Sequence, residues 1–212
     1  MKSQFRCNGS DDYVDWLEAV LYNKPFVHSG NKVDYDIRVF DDIIKMKKAI
    51  LEANSRSSHP SRMLSGDVFE WKSMKDKNAI DIVIGDSFTA QWNKTKAFAT
   101  DPRSIKEVGC IHTSQGMEFE YAGLIVADDL YYDGAEVRTD YTKHPNGAGE
   151  FKRPNMKKPL PEDAELIDRI IRNTYKVLFT RGQKGLFLYV MDEKLRDYLK
   201  SQIALLLGTK QS

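Results

Sequence analysis

Hydrophobic positions along this chain switch repeatedly between helical spacing and short apolar runs. After Ser10, Asp11 and Asp12, which suit a helix N-terminus, Val14, Leu17, Val20 and Leu21 recur on one helical face. Tyr35 to Phe40 alternates as a strand does, and Ile43, Met46 and Ile50 mark a second helix opened by Asp41 or Asp42. Ser55 to Ser61, polar and holding Pro60, reads as a loop. Arg62 to Trp71 and Ile80 to Ile84 read as strands around a charged turn at Lys72 to Asn78. Val108 to His112 is a short apolar strand, Thr113 to Gly116 a polar turn, and Gly123 to Ala127 another strand of the buried type. Tyr131 to Leu160 holds few aliphatics and reads as a long excursion from the core.

Pro161, Glu162 and Asp163 then open a helix whose face is Leu166, Ile167, Ile170, Ile171, Val177 and Leu178. Gly182 is expected to end it in the left-handed C-terminal position. Leu186 to Met191 is a fully apolar strand, and Asp192 caps a last helix carrying Leu195, Leu199 and Leu206. The alternation predicts an α/β fold, a mainly parallel sheet flanked by helices, as a single domain over residues 1–212.

Composition narrows the classes. A chain of 212 residues with 41% hydrophobic, 11% aromatic and 30% charged positions can build a full core and is not intrinsically disordered. No apolar run approaches the roughly 20 residues that span a bilayer. Cys7 and Cys110 make neither a disulfide framework nor a four-ligand zinc site, and His28, His59, His112 and His144 lack metal-ligand spacing. Both cysteines fall in expected strands, where a buried structural thiol is the default. These features point to a soluble, cytoplasmic protein that holds no metal and contacts no membrane. A net charge of +1 gives no global pull toward polyanions, so any such site must be local.

Two segments carry candidate chemistry. In Gly109-Cys110-Ile111-His112-Thr113-Ser114-Gln115-Gly116-Met117-Glu118-Phe119, a polar turn follows a buried strand and is expected to start a helix. Such a turn at the carboxyl edge of an open sheet is where ligands bind. Gly116 allows close backbone approach, and Glu118 could accept hydrogen bonds from sugar hydroxyls. The alternative is a plain tight turn with solvated polar residues. In Asn173 to Gly182, Arg181 is fixed between the end of a buried helix and a buried strand. Its planar fork suits phosphate oxygens, or it simply complements the helix dipole.

Together, Gln115-Gly116-Met117-Glu118-Phe119 and the downstream Leu178-Phe179-Thr180-Arg181 resemble motifs V and VI of superfamily 1 helicases. Across nearly the whole chain the sequence resembles the C-terminal half of the Schlafen-group-3-like DNA/RNA helicase family, and Gln4-Phe5-Arg6-Cys7 is similar to motif IV. The resemblance implies a RecA-like second motor domain that lacks its own P-loop. It implies that Arg181 is the arginine finger and Arg6 the second phosphate-sensing arginine. Gln115 and Gly116 would line the nucleotide cleft, Glu118 would contact the ribose, and His112 and Thr113 would touch the nucleic-acid backbone. ATP, with its magnesium, would be held by an N-terminal RecA-like domain as partner, and DNA or RNA would be the track.

Phosphate cradling requires G-x-x-x-x-G-K-[ST], and this chain contains no Gly-Lys pair. Gly123 to Asp129 mimics a Walker B strand, yet without a P-loop its acids more naturally cap the strand or steer the excursion. The expectation is therefore half of a split active site, beginning near Arg6 and unable to hydrolyse ATP unaided. The excursion adds six basic residues against three acidic ones from Glu136 to Lys158, with Tyr141 and Phe151 interleaved, as nucleic-acid contacts use or as a solvated loop tolerates. Trp71 and Trp92 could stack on bases, although core packing is the commoner use of such rings. Two other classes compete. Glu70-Trp71-Lys72 on a strand would suit a magnesium-dependent nuclease, and a non-catalytic interaction module could have kept the fold.

Overall fold

In the computed structural model, which describes residue 7, residues 10–144 and residues 161–208, one parallel sheet organises the chain. Its strands are β1 (Asp36–Phe40), β2 (Arg62–Ser65), β5 (Val108–Gly109), β6 (Phe119–Val126) and β9 (Gly182–Val190). They lie in the order β1-β9-β6-β2-β5, every neighbouring pair parallel. A parallel sheet buried on both faces needs apolar residues at successive positions, and Ala122 to Val126 of β6 and Leu186 to Val190 of β9 are such runs.

Alternation along those runs decides which helix covers which face. Ala122, Leu124 and Val126 of β6 and Leu186, Leu188 and Val190 of β9 face a core shared with α1 (Asp11–Tyr22), α3 (Ala164–Phe179) and α4 (Glu193–Leu206). Ile125 and Phe187 face the opposite core, with α2 (Ile43–Ser55) and the hairpin of β3 (Ile82–Ile84) and β4 (Phe88–Ala90). Gly123 lets α2 come close: a Cβ there would meet Ile50 Cγ1 at 2.7 Å. Caps fall where short polar side chains stand. Ser10 caps α1, Asp42 caps α2 and Asp192 caps α4, each accepting from a first-turn N–H. No helix among the described residues is long and apolar enough to cross a membrane.

The carboxyl ends of the strands are closed by their own acids. Beyond β6, Asp129 is 2% exposed. It accepts from the Tyr175 hydroxyl and lies 3.1 Å from His144 Nε2. The same hydroxyl accepts from the Ala127 N–H at 3.1 Å, and burial holds the Tyr175 phenol protonated, well above the ordinary range. The acid that mimics a Walker B residue is thus a structural anchor. Beyond β1, Asp41 pairs with Lys200 at 2.6 Å and with Arg196. The excursion begins as a second hairpin, β7 (Leu130–Tyr132) and β8 (Val137–Thr139), docked on α4 by stacking of Tyr132 on Tyr198 at 4.3 Å. Its remainder, residues 145–160, lies outside the described residues, as do Gln4, Phe5 and Arg6.

Several sequence expectations are corrected. The strand expected over Arg62 to Trp71 ends at Ser65. Glu70 and Trp71 are on no strand, and Lys72 opens a single 3₁₀ turn, which removes the strand placement a nuclease carboxylate–lysine pair needs. Cys7 sits at φ +53°, outside any strand. Gly182 does not end α3. That helix stops at Phe179 with Thr180 as its cap, and Gly182 begins β9.

The reason is a bulge. Phe119 pairs with Gly182, but Tyr121 pairs with Gly185, so β9 spends one more residue than β6 over this interval. Glycine is required at both of its ends. A Cβ on Gly182 would lie 2.0 Å from the Gly185 carbonyl oxygen, and one on Gly185 would lie 2.5 Å from the Asp36 carbonyl oxygen.

Three substitutions test this architecture. Gly182→Ala is expected to lower the unfolding free energy, read by urea denaturation, by about 1–3 kcal/mol or more, because the clash is with backbone. Gly116→Ala, whose Cβ would meet open space at φ +72°, is expected to cost only about 1–2 kcal/mol for the left-handed backbone. Tyr175→Phe leaves Asp129 short of a donor and is expected to cost about 1–3 kcal/mol in the same assay.

Candidate functional site

Gln115 to Glu118 and Arg181, more than 60 residues apart, meet at the amino ends of β6 and β9. The Phe119 N–H donates to the Arg181 carbonyl at 3.0 Å, which locks the two segments through backbone. Arg181 in turn donates from Nη1 to the Met117 carbonyl oxygen at 3.3 Å. Its side chain is only 5% exposed, folded beneath a turn whose own residues Gln115, Gly116, Met117 and Glu118 are exposed. Burial of an always-charged guanidinium restricts its rotamers and sets its direction, as expected of a group held for one partner rather than for solvent.

The bulge supplies the rest of the rim. Gln183 Nε2 donates to Glu118 Oε2 at 2.5 Å, and Lys184 Nζ donates to Glu120 Oε1 at 3.0 Å. The Ser57 hydroxyl also donates to Glu120. Gln183 and Lys184 escaped the sequence reading because a bulge has no composition of its own. The spaced glycines Gly182 and Gly185 were the available signal. Below the site, Tyr35 donates to the Gly182 carbonyl at 3.0 Å and Tyr13 to the Phe179 carbonyl at 2.9 Å, fixing the backbone on either side of Arg181. Burial pushes both phenols well above their ordinary range, so both remain donors.

The motif-bearing turn differs from expectation in one respect. It is followed by β6 rather than by a helix, so no helix N-terminus faces a ligand there. The segment leaves the carboxyl end of β5, runs back along the sheet and delivers Glu118 to the amino end of β6. Only its first part therefore lies at the carboxyl edge where the ligand was expected. His112 and Thr113 are in that first part, and Gln115, Gly116 and Glu118 are in the last. The two groups face different regions of the molecule.

His112 is exposed and lines a cleft of about 340 Å³ together with Thr113, Cys110, Trp71, Met74 and Trp92. Trp92 is buried and Trp71 partly exposed, their rings edge to face at 6.1 Å. Thr113 is less available than its neighbour. Its hydroxyl accepts from the Cys110 N–H at 2.9 Å and contacts Asn93 Oδ1 at 2.9 Å. Asn93, at φ +51°, also accepts from the Cys110 N–H at 2.9 Å, and so pins the start of the turn. Burial pushes the Cys110 thiol up, so it stays protonated and structural. Among the described residues no group of three or more His, Cys, Asp or Glu side chains could hold a metal ion.

Residues 1–192 match the family described as Schlafen group 3, DNA/RNA helicase domain. An uncharacterized protein of Saccharomyces cerevisiae, YPL245W, is 29% identical over 219 aligned positions, which cover 94% of this chain and 47% of the yeast protein. The chain therefore spans about half the length of this curated relative. The five-stranded parallel sheet flanked by helices is consistent with a RecA-like fold. With a match running over nearly the whole described sheet and both motif segments, the chain belongs to the Schlafen group 3 DNA/RNA helicase domain family.

Proposed function

We propose that this chain acts as a single RecA-like domain, the second motor lobe of a nucleic-acid-dependent ATPase or helicase. It closes on ATP and magnesium held by a P-loop-bearing lobe and couples that closure to contacts with DNA or RNA. The observation that carries this reading is the convergence of Arg181 with Gln115, Gly116 and Glu118 at one edge of the sheet, locked by the Phe119–Arg181 backbone bond.

Each residue then has a definable task. Arg181 turns from the Met117 carbonyl toward the γ-phosphate as the lobes meet, adding positive charge where negative charge develops. Glu118, now held by Gln183, accepts from the ribose hydroxyls. Gly116, whose backbone faces open space, lets the nucleotide approach without a side chain in between. Arg6, outside the described residues, is assigned the second phosphate contact by motif alone. His112 contacts the nucleic-acid backbone at its cleft, and Thr113 sets the turn that carries it. Phosphoryl transfer depends on positioning and charge neutralisation more than on covalent chemistry, so a lobe with no P-loop can still supply much of the acceleration.

In a protein carrying both lobes, Arg181→Ala is expected to cut ATP turnover by about 10³-fold or more, with ATP affinity nearly unchanged. Arg181→Lys, which keeps the charge and loses the fork, is expected to recover little of it. Thermal melting of both variants separates this loss from misfolding. Wild-type turnover in a folded Arg181→Ala protein would remove Arg181 from this role.

A further inference from the structure

A broad depression on the described surface belongs to neither segment discussed above. It is a groove of about 970 Å³ on the outer side of the β5 edge. Lys77 reaches it from the turn before β3, Lys94 and Lys96 from the loop after β4, and Arg103 and Lys106 from the turn before β5. Against these cations stand two carboxylates, both already engaged. Glu107 is buried and accepts from the Thr95 N–H at 2.9 Å and the Thr95 hydroxyl at 2.5 Å. Asp101 pairs with Arg103 at 2.7 Å. Among the described residues none of the four lysines is in an ion pair, in a chain whose net charge is only +1.

The groove is built rather than incidental. Gln91 Nε2 donates to the Lys77 and Ala79 backbone carbonyls at 2.8 and 3.0 Å, tying the two walls together, while Lys94 Nζ donates to Gln91 Oε1 at 2.5 Å within its own segment. Its lining contains no aromatic ring to stack a base and only Ile80, Ala90 and Ala97 as apolar surface. Lysines as point charges without a stacking platform recognise phosphates, not bases. A concave trough with cations from three segments fits a polymer lying lengthwise better than a flat membrane. Neighbouring residues of the same two segments line the groove and the His112 cleft: Gln91 and Lys94 with Lys77 face the groove, Trp92 and Asn93 with Lys75 the cleft.

We propose that this groove is a second nucleic-acid site, binding the phosphate backbone of single-stranded DNA or RNA independently of base sequence, and extending the path that starts at His112. The proposal rests on the reading of this chain as a nucleic-acid-dependent motor lobe. It adds a contact to which none of the motif residues contributes.

The test is fluorescence anisotropy of the 212-residue chain with fluorescein-labelled 20-nucleotide oligo(U) and oligo(dT), without ATP, across a salt series. The variant is Lys77→Gln/Lys94→Gln/Lys96→Gln/Lys106→Gln, exposed positions whose loss should leave thermal melting unchanged. Single strands give a salt slope of roughly 0.7 per phosphate contact, so the slope is expected to fall by about 2–3 and affinity near 0.1 M salt by at least about 30-fold, equally for both oligomers. Wild-type affinity and slope in the folded variant would overturn the proposal. So would loss of binding through His112→Ala with no effect of the lysine variant, or retention of binding only to phosphatidylserine vesicles. Arg181→Ala is measured in parallel. Normal binding by that variant, with ATP turnover lost in the two-lobed protein, would uphold the motor reading whether or not the groove variant weakens binding.

Discussion

The pairing of β6 with β9 is the constraint on which the rest depends. These are the two longest strands, at the centre of the sheet, and the helices on both faces pack against them. Each strand begins within a residue of a candidate functional group: Glu118 precedes β6 and Arg181 precedes β9. Burying the pair therefore fixes the distance between an acid and a guanidinium that are 63 positions apart. The bulge modifies that register where it matters, turning Gln183 toward Glu118 and Lys184 toward Glu120. Two glycines make this possible because carbonyl oxygens occupy the places where their side chains would stand.

The two edges of the sheet have been put to opposite uses. At the carboxyl ends of β1, β6 and β9, acids are consumed inward, as helix caps, in an ion pair with α4, or as the buried acceptor Asp129. At 2% exposure the Asp129 carboxyl needs polar partners, and the Tyr175 phenol, held protonated by burial, donates to it beside His144 Nε2. At the amino ends of β6 and β9, Gln115, Glu118 and Lys184 remain at the surface, over the buried Arg181. Open α/β sheets commonly bind ligands at their carboxyl edge. A lobe that completes a nucleotide site held elsewhere is under no such constraint, and its arginine can come from the start of a strand.

Much of this was legible in the sequence. The helical faces of α1, α2, α3 and α4 follow from spacing, since burial of one face enforces it, and the caps Ser10, Asp42 and Asp192 stand just before those faces begin. The apolar runs that became β6 and β9 read as buried strands for the same reason. Legibility failed where backbone rather than side chains decided the outcome. Gly182 looked like a helix terminator because glycine after a helix usually is one, and only the close approach of Gly185 reveals its other use. The strand expected over Arg62 to Trp71 was cut short at Gly66, where a Cβ would meet the Tyr175 hydroxyl at 3.0 Å. Arg62 itself gives no sign of being buried. Yet it is 3% exposed and donates to the carbonyls of Ser61, Phe98, Ala99 and Asp101, holding a loop that no local pattern specifies.

The segment from Cys110 to Glu118 joins these points into one mechanical unit. Its first residues are pinned by Asn93 through the Cys110 N–H, and its last by the Phe119–Arg181 bond. Between the pins, the Ser114, Gln115 and Met117 N–H groups make local turn bonds, to the Cys110, His112 and Ser114 carbonyls respectively. On the proposed function, a displacement of His112 by a strand in its cleft would pass along a short, doubly anchored tether toward the carbonyl of Met117. That carbonyl is the one Arg181 holds. On the proposed function, the group that senses nucleic acid and the group that releases the arginine belong to the same nine residues, and coupling needs no longer pathway than that. The left-handed Gly116 lies between them, where a change of backbone angle costs least.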